Sequence, residues 1–331
     1  PPPFSSRRRH TRCSRWSRGL GDVYKRQILS CVYEGSLLPI DRALKIESEY
    51  FTSLLQTPVA RNMIRTLFVE KGKADKLARR PEGVPASKVQ KLGILGAGMM
   101  GAGIAYVSAR AGIDVVLLDT DIESAKKGKD YSRGLLEKQI SRGRSTQEKA
   151  EALLAKIEPT TDYADLEGCD LVIEAVFENR KIKADVTAKA EAVIPETAIF
   201  ASNTSTLPIT GLAEASSRPA SFIGIHFFSP VDKMPLVEII VGKETSDEAL
   251  ARSLDYVGQI RKTPIVVNDS RGFYTSRVFG TYPQEGVALL WEGNDPNTIE
   301  RAGRKAGMPL GPLAISDEVG LTLSKHIRDQ T

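Results

Sequence analysis

His226 and Glu238 stand twelve residues apart, the histidine closing the apolar run Phe222 to Ile225 and the glutamate inside a second run, Leu236 to Val241. A neutral imidazole can take a hydroxyl proton near neutral pH, and a carboxylate on its other ring nitrogen fixes the tautomer and stabilises the imidazolium. That is the proton chemistry an alcohol needs when hydride leaves the same carbon. Of three histidines, His10 lies in an arginine-rich arm and His326 in the last helical stretch, so His226 is the candidate by elimination. A structural histidine at a strand end fits the same spacing, and the residues alone leave both readings open.

A second group could supply the hydride acceptor. Lys91 to Leu95 is apolar and short enough for a buried strand; Gly96, Gly98 and Gly101 follow in G-x-G-x-x-G spacing, and a helical pattern runs on to Gly112. The first glycine allows a tight turn, the second lets the backbone approach a pyrophosphate, and the third lets the helix lie on the strand, with phosphates at the helix N-terminus. Asp119 ends the next apolar run, 18 residues past Gly101, where a ribose-binding acid is expected. A carboxylate there accepts from the ribose hydroxyls and repels a 2'-phosphate, so the expected cofactor is NAD. The bland alternative, a glycine turn that binds nothing, loses ground because strand, turn, helix, strand and acid coincide.

Two further clusters follow apolar runs: Glu174-Ala175-Val176-Phe177-Glu178-Asn179 and Ser202-Asn203-Thr204-Ser205-Thr206. With His226-Phe227-Phe228-Ser229-Pro230 they lie where open α/β sheets bind ligands, outside the carboxyl ends of strands. The Ser/Asn cluster also reads as an ordinary side-chain turn after a strand.

These groups need a sheet to hold them. From 89 to 270 the pattern alternates strands (91–95, 114–118, 171–175, 198–202, 222–226, then 236–241 and 264–267) with helices at 99–111, 122–142, 146–157, 179–193 and about 247–260. A capping box from Ser145 to Glu148 is expected to open the third helix. The fold class is α/β: a Rossmann-type NAD-binding domain with a mostly parallel sheet covered on both faces, followed by an all-helical C-terminal domain. That second domain, 271–331, is expected to be incomplete, with helices at 273–292, 296–306 and 311–328. Residues 28–71 read as helices, the second opened by Thr57 and Pro58 as N-cap and first-turn residue and stopping at Gly72, and 72–88 as a linker.

The 331 residues suffice for two domains and a substantial core. No apolar stretch reaches the length of a membrane span and no signal-peptide core stands at the N-terminus, so a cytoplasmic location is expected. Cys13, Cys31 and Cys169 are scattered, which suggests neither a disulfide framework nor a zinc site, and no metal is expected. The net charge of +5 comes from residues 1–27, which carry eight basic residues against Asp22 alone. That arm resembles translated sequencing-adapter read-through and is set aside as non-native; without it nothing suggests nucleic-acid binding.

Together, Gly96-Ala97-Gly98-Met99-Met100-Gly101, Val176-Phe177-Glu178-Asn179, Ser202-Asn203-Thr204-Ser205, His226-Phe227-Phe228-Ser229-Pro230 and Pro309-Leu310-Gly311-Pro312 resemble the 3-hydroxyacyl-CoA dehydrogenase family, over about Lys88 to Gln330. Residues 28–87 are similar to the tail of a crotonase-like hydratase half and the linker of the multifunctional fatty acid oxidation enzymes. The resemblance therefore implies the dehydrogenase part of a bifunctional enoyl-CoA hydratase and 3-hydroxyacyl-CoA dehydrogenase, acting in fatty acid β-oxidation. It implies NAD as cofactor, an acyl-CoA as substrate, a homodimer through the helical domain and a thiolase subunit as partner.

Carried onto this sequence, the resemblance makes His226 the general base, Glu238 its orienting partner and Ser205 the catalytic hydroxyl. The stretch Gly96 to Gly101, Asp119, Glu178, Lys183 and Ser229 fall at cofactor-binding positions. Ser132, Asn203 and Ser276 fall at substrate positions, with Lys138 and Arg142 as phosphate partners or a solvated helix face. Ser229 and Ser276 each replace an asparagine common in the family, shortening the reach of a polar contact. Two rival readings are an NAD-dependent dehydrogenase of a non-thioester hydroxy acid and a catalytically inactive NAD-binding fragment.

Overall fold

The computed structural model describes residues 21–319. His10, His326, most of the basic arm and the end of the last expected helix lie outside the described residues. The chain forms two units, one of Glu70–Ser276 and one of the helices before Glu70 together with those from Arg277 on.

The first unit is built on one eight-stranded sheet: β1 (Lys91–Leu95), β2 (Asp114–Leu118), β3 (Ile157–Thr160), β4 (Leu171–Glu174), β5 (Ile199–Ser202), β6 (Phe222–Phe227), β7 (Leu236–Val241) and β8 (Thr263–Asn268). Their order is β3-β2-β1-β4-β5-β6-β7-β8, and every neighbouring pair is parallel except the antiparallel β6 and β7. The strands are apolar in unbroken runs because both faces are covered. On one face Ile94, Ile104, Leu117, Ile173, Tyr256 and Val257 share a core; on the other Leu95, Val116, Val172, Phe200, Phe222 and Ile240 do.

Helices of the second unit precede the sheet: α1 (Gly21–Gly35), α2 (Ile40–Leu55) and α3 (Pro58–Ile64), followed by a π-helical turn at Arg65–Glu70; α4 (Lys71–Asp75) belongs to the sheet unit. The sheet's own helices are α5 (Met99–Arg110), α6 (Ile122–Ile140), α7 (Gln147–Leu154), α8 (Arg180–Glu191), α9 (Ile209–Ala213) and α10 (Asp247–Gln259). Then come α11 (Thr275–Trp291), α12 (Pro296–Lys305) and α13 (Pro312–Val319). Thr57 caps α3 by accepting from the Ala60 N–H, with Pro58 in its first turn, as expected.

Three expectations need correction. The helix after Thr57 does not stop at Gly72 but continues to Asp75, since one glycine costs a helix only about 1 kcal/mol. The N-cap of α7 is Thr146, whose hydroxyl accepts from the Lys149 N–H, and not Ser145. The helix expected to reach 157 ends at Leu154, and Ile157–Thr160 is an edge strand whose Pro159 needs no ladder donor on its open side.

The linker is fixed to the sheet unit. Arg80 makes a forked pair with Asp255 of α10, Nε to Oδ1 at 2.7 Å and Nη2 to Oδ2 at 2.9 Å, and the Ser87 N–H donates to the same carboxylate. In the other unit Tyr282 donates to the Leu310 carbonyl, and Glu300 accepts from the Leu313 and Ala314 N–H groups that open α13. The helices α2 and α3 leave Leu44, Phe51, Leu55 and Ile64 exposed. Among the described residues, no helix is long and apolar enough to cross a membrane.

Candidate active site

β1 and β4 are neighbours whose following helices lead to opposite halves of the sheet, so a crevice opens outside their carboxyl ends. Into it run the glycine turn after β1, residues 175–179 after β4, 203–206 after β5 and 228–235 after β6.

The glycine turn fits a dinucleotide. Gly96 has φ +97°, and a Cβ there would meet the Ala175 carbonyl oxygen at 2.8 Å. A Cβ on Gly101 would fall 1.8 Å from the Gly96 carbonyl oxygen, so this glycine is what lets α5 lie against the turn. A Cβ on Gly98 would meet nothing within 4 Å, so its space faces outward, where a pyrophosphate would come. Gly98 is the N-cap of the twelve-residue α5 and offers no side-chain cap, which leaves first-turn N–H groups for an anion. Asp119 Oδ2 accepts from the Ala97 N–H at 2.7 Å, and Oδ1 from the Thr120 N–H. Asp119, the acid expected at the ribose, thus ties the end of β2 to the turn. When bound, NAD would supply the hydride acceptor.

Glu178 and Lys183, expected at the cofactor, form a buried network. Lys183, 3% exposed, reaches Glu174 Oε1 at 2.9 Å and Glu178 Oε2 at 3.1 Å, while Glu174 is fully buried. Glu178 Oε1 gathers the following loop, accepting from the Ser205 N–H at 3.2 Å, the Thr206 N–H and the hydroxyls of Thr204 and Thr206. Burial pushes Glu178 up, but the Lys183 ammonium and the threonine hydroxyls outweigh it and hold the carboxyl below its ordinary value. Burial also pushes Glu174 up, opposed by Lys183 and by hydrogen bonds from Ser202 and the Val176 N–H. The Asn203 side-chain oxygen accepts from the Phe227 N–H at 2.8 Å, fastening this loop to the end of β6. Among the described residues, the Ser205 hydroxyl takes no part in the network.

His226 and Glu238 are directly opposed in the β6–β7 ladder, and Nδ1 lies 2.7 Å from Glu238 Oε2. The carboxylate makes Nδ1 the proton-bearing nitrogen and leaves Nε2 an acceptor. Glu238 Oε2 also accepts from the Thr275 hydroxyl at 2.7 Å, and Oε1 from the Thr275 and Tyr274 N–H groups at 2.8 and 3.2 Å. One carboxylate therefore orients the imidazole and caps α11. Burial pushes the Glu238 carboxyl up, but these hydrogen bonds more than compensate and hold it below the usual carboxylate range. The His226 ring lies against Phe228 and Phe273, with centroids 4.5 and 6.2 Å away. Phe273 holds φ +47°, a left-handed backbone that is strained in a bulky residue, and is almost fully buried.

Ser229 is exposed, its hydroxyl 3.6 Å from Met99 Sδ on the first turn of α5, and the Ser229–Pro230 peptide is cis. Ser132 is fully buried, on the inner stripe of α6 with Ala125, Gly128 and Leu136, and its hydroxyl has no partner. Ser276 lies in the first turn of α11, half-buried, and Lys138 and Arg142 are exposed. Sequence reasoning missed Thr275 as a third member of the His226 and Glu238 cluster, because it lies inside the expected helix 273–292 and 37 residues from Glu238. It also missed Glu174 as a partner of Lys183, which no local spacing reveals.

The family model described as 3-hydroxyacyl-CoA dehydrogenase, NAD binding domain, matches residues 91–270, and that of the C-terminal domain matches 272–331. The chain is 41% identical over 299 residues to the fatty acid oxidation complex subunit alpha of Acinetobacter baylyi, covering 90% of this chain and 41% of that protein's length. It resembles the (S)-3-hydroxybutyryl-CoA dehydrogenase of Ralstonia eutropha with TM-score 0.69 and 37% identity, over 73% of this chain and 86% of that one. It resembles a 3-hydroxybutyryl-CoA dehydrogenase of Escherichia coli with TM-score 0.70 and 34% identity, over 73% of this chain and 52% of that one.

Proposed function

The chain belongs to the 3-hydroxyacyl-CoA dehydrogenase family, and from that premise we propose that it oxidises an (S)-3-hydroxyacyl-CoA to the 3-oxoacyl-CoA with NAD. The observation that carries this reading is the His226 pair: Glu238 holds Nδ1 at 2.7 Å, so Nε2 is free to take the substrate's hydroxyl proton. Ser205, on the loop that Asn203 fastens to β6, holds the same hydroxyl as hydride leaves C3. The outward space at Gly98 and the uncapped first turn of α5 receive the cofactor's phosphates, and Asp119 its ribose. Glu178 and Lys183 act from beneath, by fixing the backbone of residues 204–206. By the family's pattern Ser229 belongs to the cofactor side and Ser276 to the substrate, and Ser132 to the coenzyme A part of the substrate, although its hydroxyl is fully buried in the structure.

The place of this chemistry is fatty acid β-oxidation in a bifunctional hydratase and dehydrogenase. The 299 residues matched in the A. baylyi relative extend beyond the two dehydrogenase domains, which supports reading α1 to α3 as the end of a hydratase part. A homodimer through the helical domain, a thiolase subunit as partner and a cytoplasmic location complete the proposal. The test is oxidation of NADH by the full chain on adding acetoacetyl-CoA, which runs the reaction backwards. Loss of NADH absorbance that depends on both protein and thioester supports it; NADH binding without turnover refutes it.

A further inference from the structure

The loop between His226 and Glu238 is held from below by one buried charge. Lys262, 8% exposed and placed just before β8, donates from Nζ to the Val231 carbonyl at 2.6 Å and to the Met234 carbonyl at 2.5 Å. Those two carbonyls bracket the loop's turn, inside which the Lys233 and Met234 N–H groups bond back to the Pro230 carbonyl. The same loop is tied to the cofactor side. Val231 packs where a Cβ on Gly103 of α5 would stand, Tyr131 of α6 donates to Asp232 at 3.0 Å, and Ser229 lies against Met99. Lys262 is therefore the strand-side side chain holding a segment that also meets the glycine-turn helix and its neighbour, while the Thr263 N–H holds the adjoining Pro235 carbonyl at 2.8 Å. Two charge-assisted bonds to carbonyls are a strong anchor in a buried place.

We propose that Lys262 is a positioning residue for the hydride transfer: through the Val231 and Met234 carbonyls it holds residues 229–234 in register between the cofactor's cradle and His226. This rests on the proposed dehydrogenase reaction. Lys262 touches neither cofactor nor substrate, and the Asp119 end of the cofactor site has no part in the anchor. Its loss should spoil alignment of the reacting ends and spare cofactor binding. Burial, and to a smaller degree Arg110 on α5, push its ammonium down to about 8, with Asp232 opposing them. A neutral amine keeps two donors but loses the charge assistance, so the anchor weakens in mild alkali.

The experiment compares the full chain with Lys262→Met, measuring NADH affinity by fluorescence titration and kcat with acetoacetyl-CoA per titrated NADH site. Counting sites removes unfolded protein from the comparison. The expected result is at least a tenfold fall in kcat per site with NADH affinity within threefold; kcat per site within threefold of the unaltered chain overturns the proposal. If the variant does not fold, the unaltered chain carries the test. There the comparison is with Lys262→Arg, whose charge survives in alkali: the ratio of its kcat to that of the unaltered chain should rise at least threefold between pH 7 and 9.5, and a constant ratio overturns the idea. Absence of any turnover by an unaltered chain that binds NADH removes the underlying reaction, and the positioning role with it.

Discussion

The Glu238 carboxylate is shared between the imidazole of His226, at 2.7 Å, and the first N–H and hydroxyl of α11 at Thr275, at 2.8 and 2.7 Å. The group that orients the His226 imidazole is thus the group that starts the helix carrying Ser276. Both functions depend on its remaining ionised.

His226→Ala should lower kcat by about a hundred- to ten-thousandfold, the range for a lost general base. NADH affinity should stay within about threefold, because the phosphate cradle and Asp119 are on other strand ends. Fluorescence titration beside the acetoacetyl-CoA assay checks both. Loss of NADH binding would mean a structural histidine.

Glu238→Gln tests the shared carboxylate through pH. A carboxyl held below its unfolded value of about 4.3 stabilises the fold fully above that value, and the contribution disappears as pH falls through the folded value. The unaltered chain should therefore be more stable than the variant by about 2 kcal/mol at pH 7, with the gap closing below about pH 4. Thermal melts across pH 7 to 3.5 read this, and a gap independent of pH would refute it. The kcat should also fall, because an amide supports the imidazolium less well than a carboxylate.

Gly98→Ala and Gly101→Ala should separate binding from folding. Nothing lies within 4 Å of a Cβ at 98, so that variant should lose no more than about 1 kcal/mol of stability yet bind NADH at least tenfold more weakly. At 101 the Cβ meets a backbone oxygen at 1.8 Å, and stability should fall by about 3 kcal/mol or more. Denaturant melts and NADH titration of both proteins decide it, and equal effects at the two positions would refute the assignment.

Lys183→Met should leave Glu174 and Glu178 without their cation, at a cost of about 3 to 5 kcal/mol. Adding Glu174→Gln should recover part of that loss, since one of the two uncompensated charges is gone. A double-mutant cycle in denaturant shows whether the changes couple, and simple additivity would count against the network.

Local order was legible in the sequence wherever the deciding physics is local. The glycine spacing predicted strand, turn and helix because φ +97° at Gly96 and the close approach at Gly101 admit no other residue comfortably. Thr57 with Pro58 marked a helix start correctly. The cap of α7 was misread by one residue, since Ser145 and Thr146 offer the same chemistry to the same helix. The edge strand β3 was missed because its four residues, with proline among them, carry too little pattern to separate from the preceding helix.

What the sequence by itself determined was the alternation of elements and the glycine turn, each written in short-range spacing and residue type. What only the tertiary structure decided was the use of groups far apart in the chain. Antiparallel register sets His226 opposite Glu238, and β8 brings Lys262 under the loop that joins them. The loop after β5 comes to rest on Glu178. Such partnerships follow from strand order and from the need of buried charges and carbonyls to find hydrogen-bond partners, and neither leaves a period in the sequence.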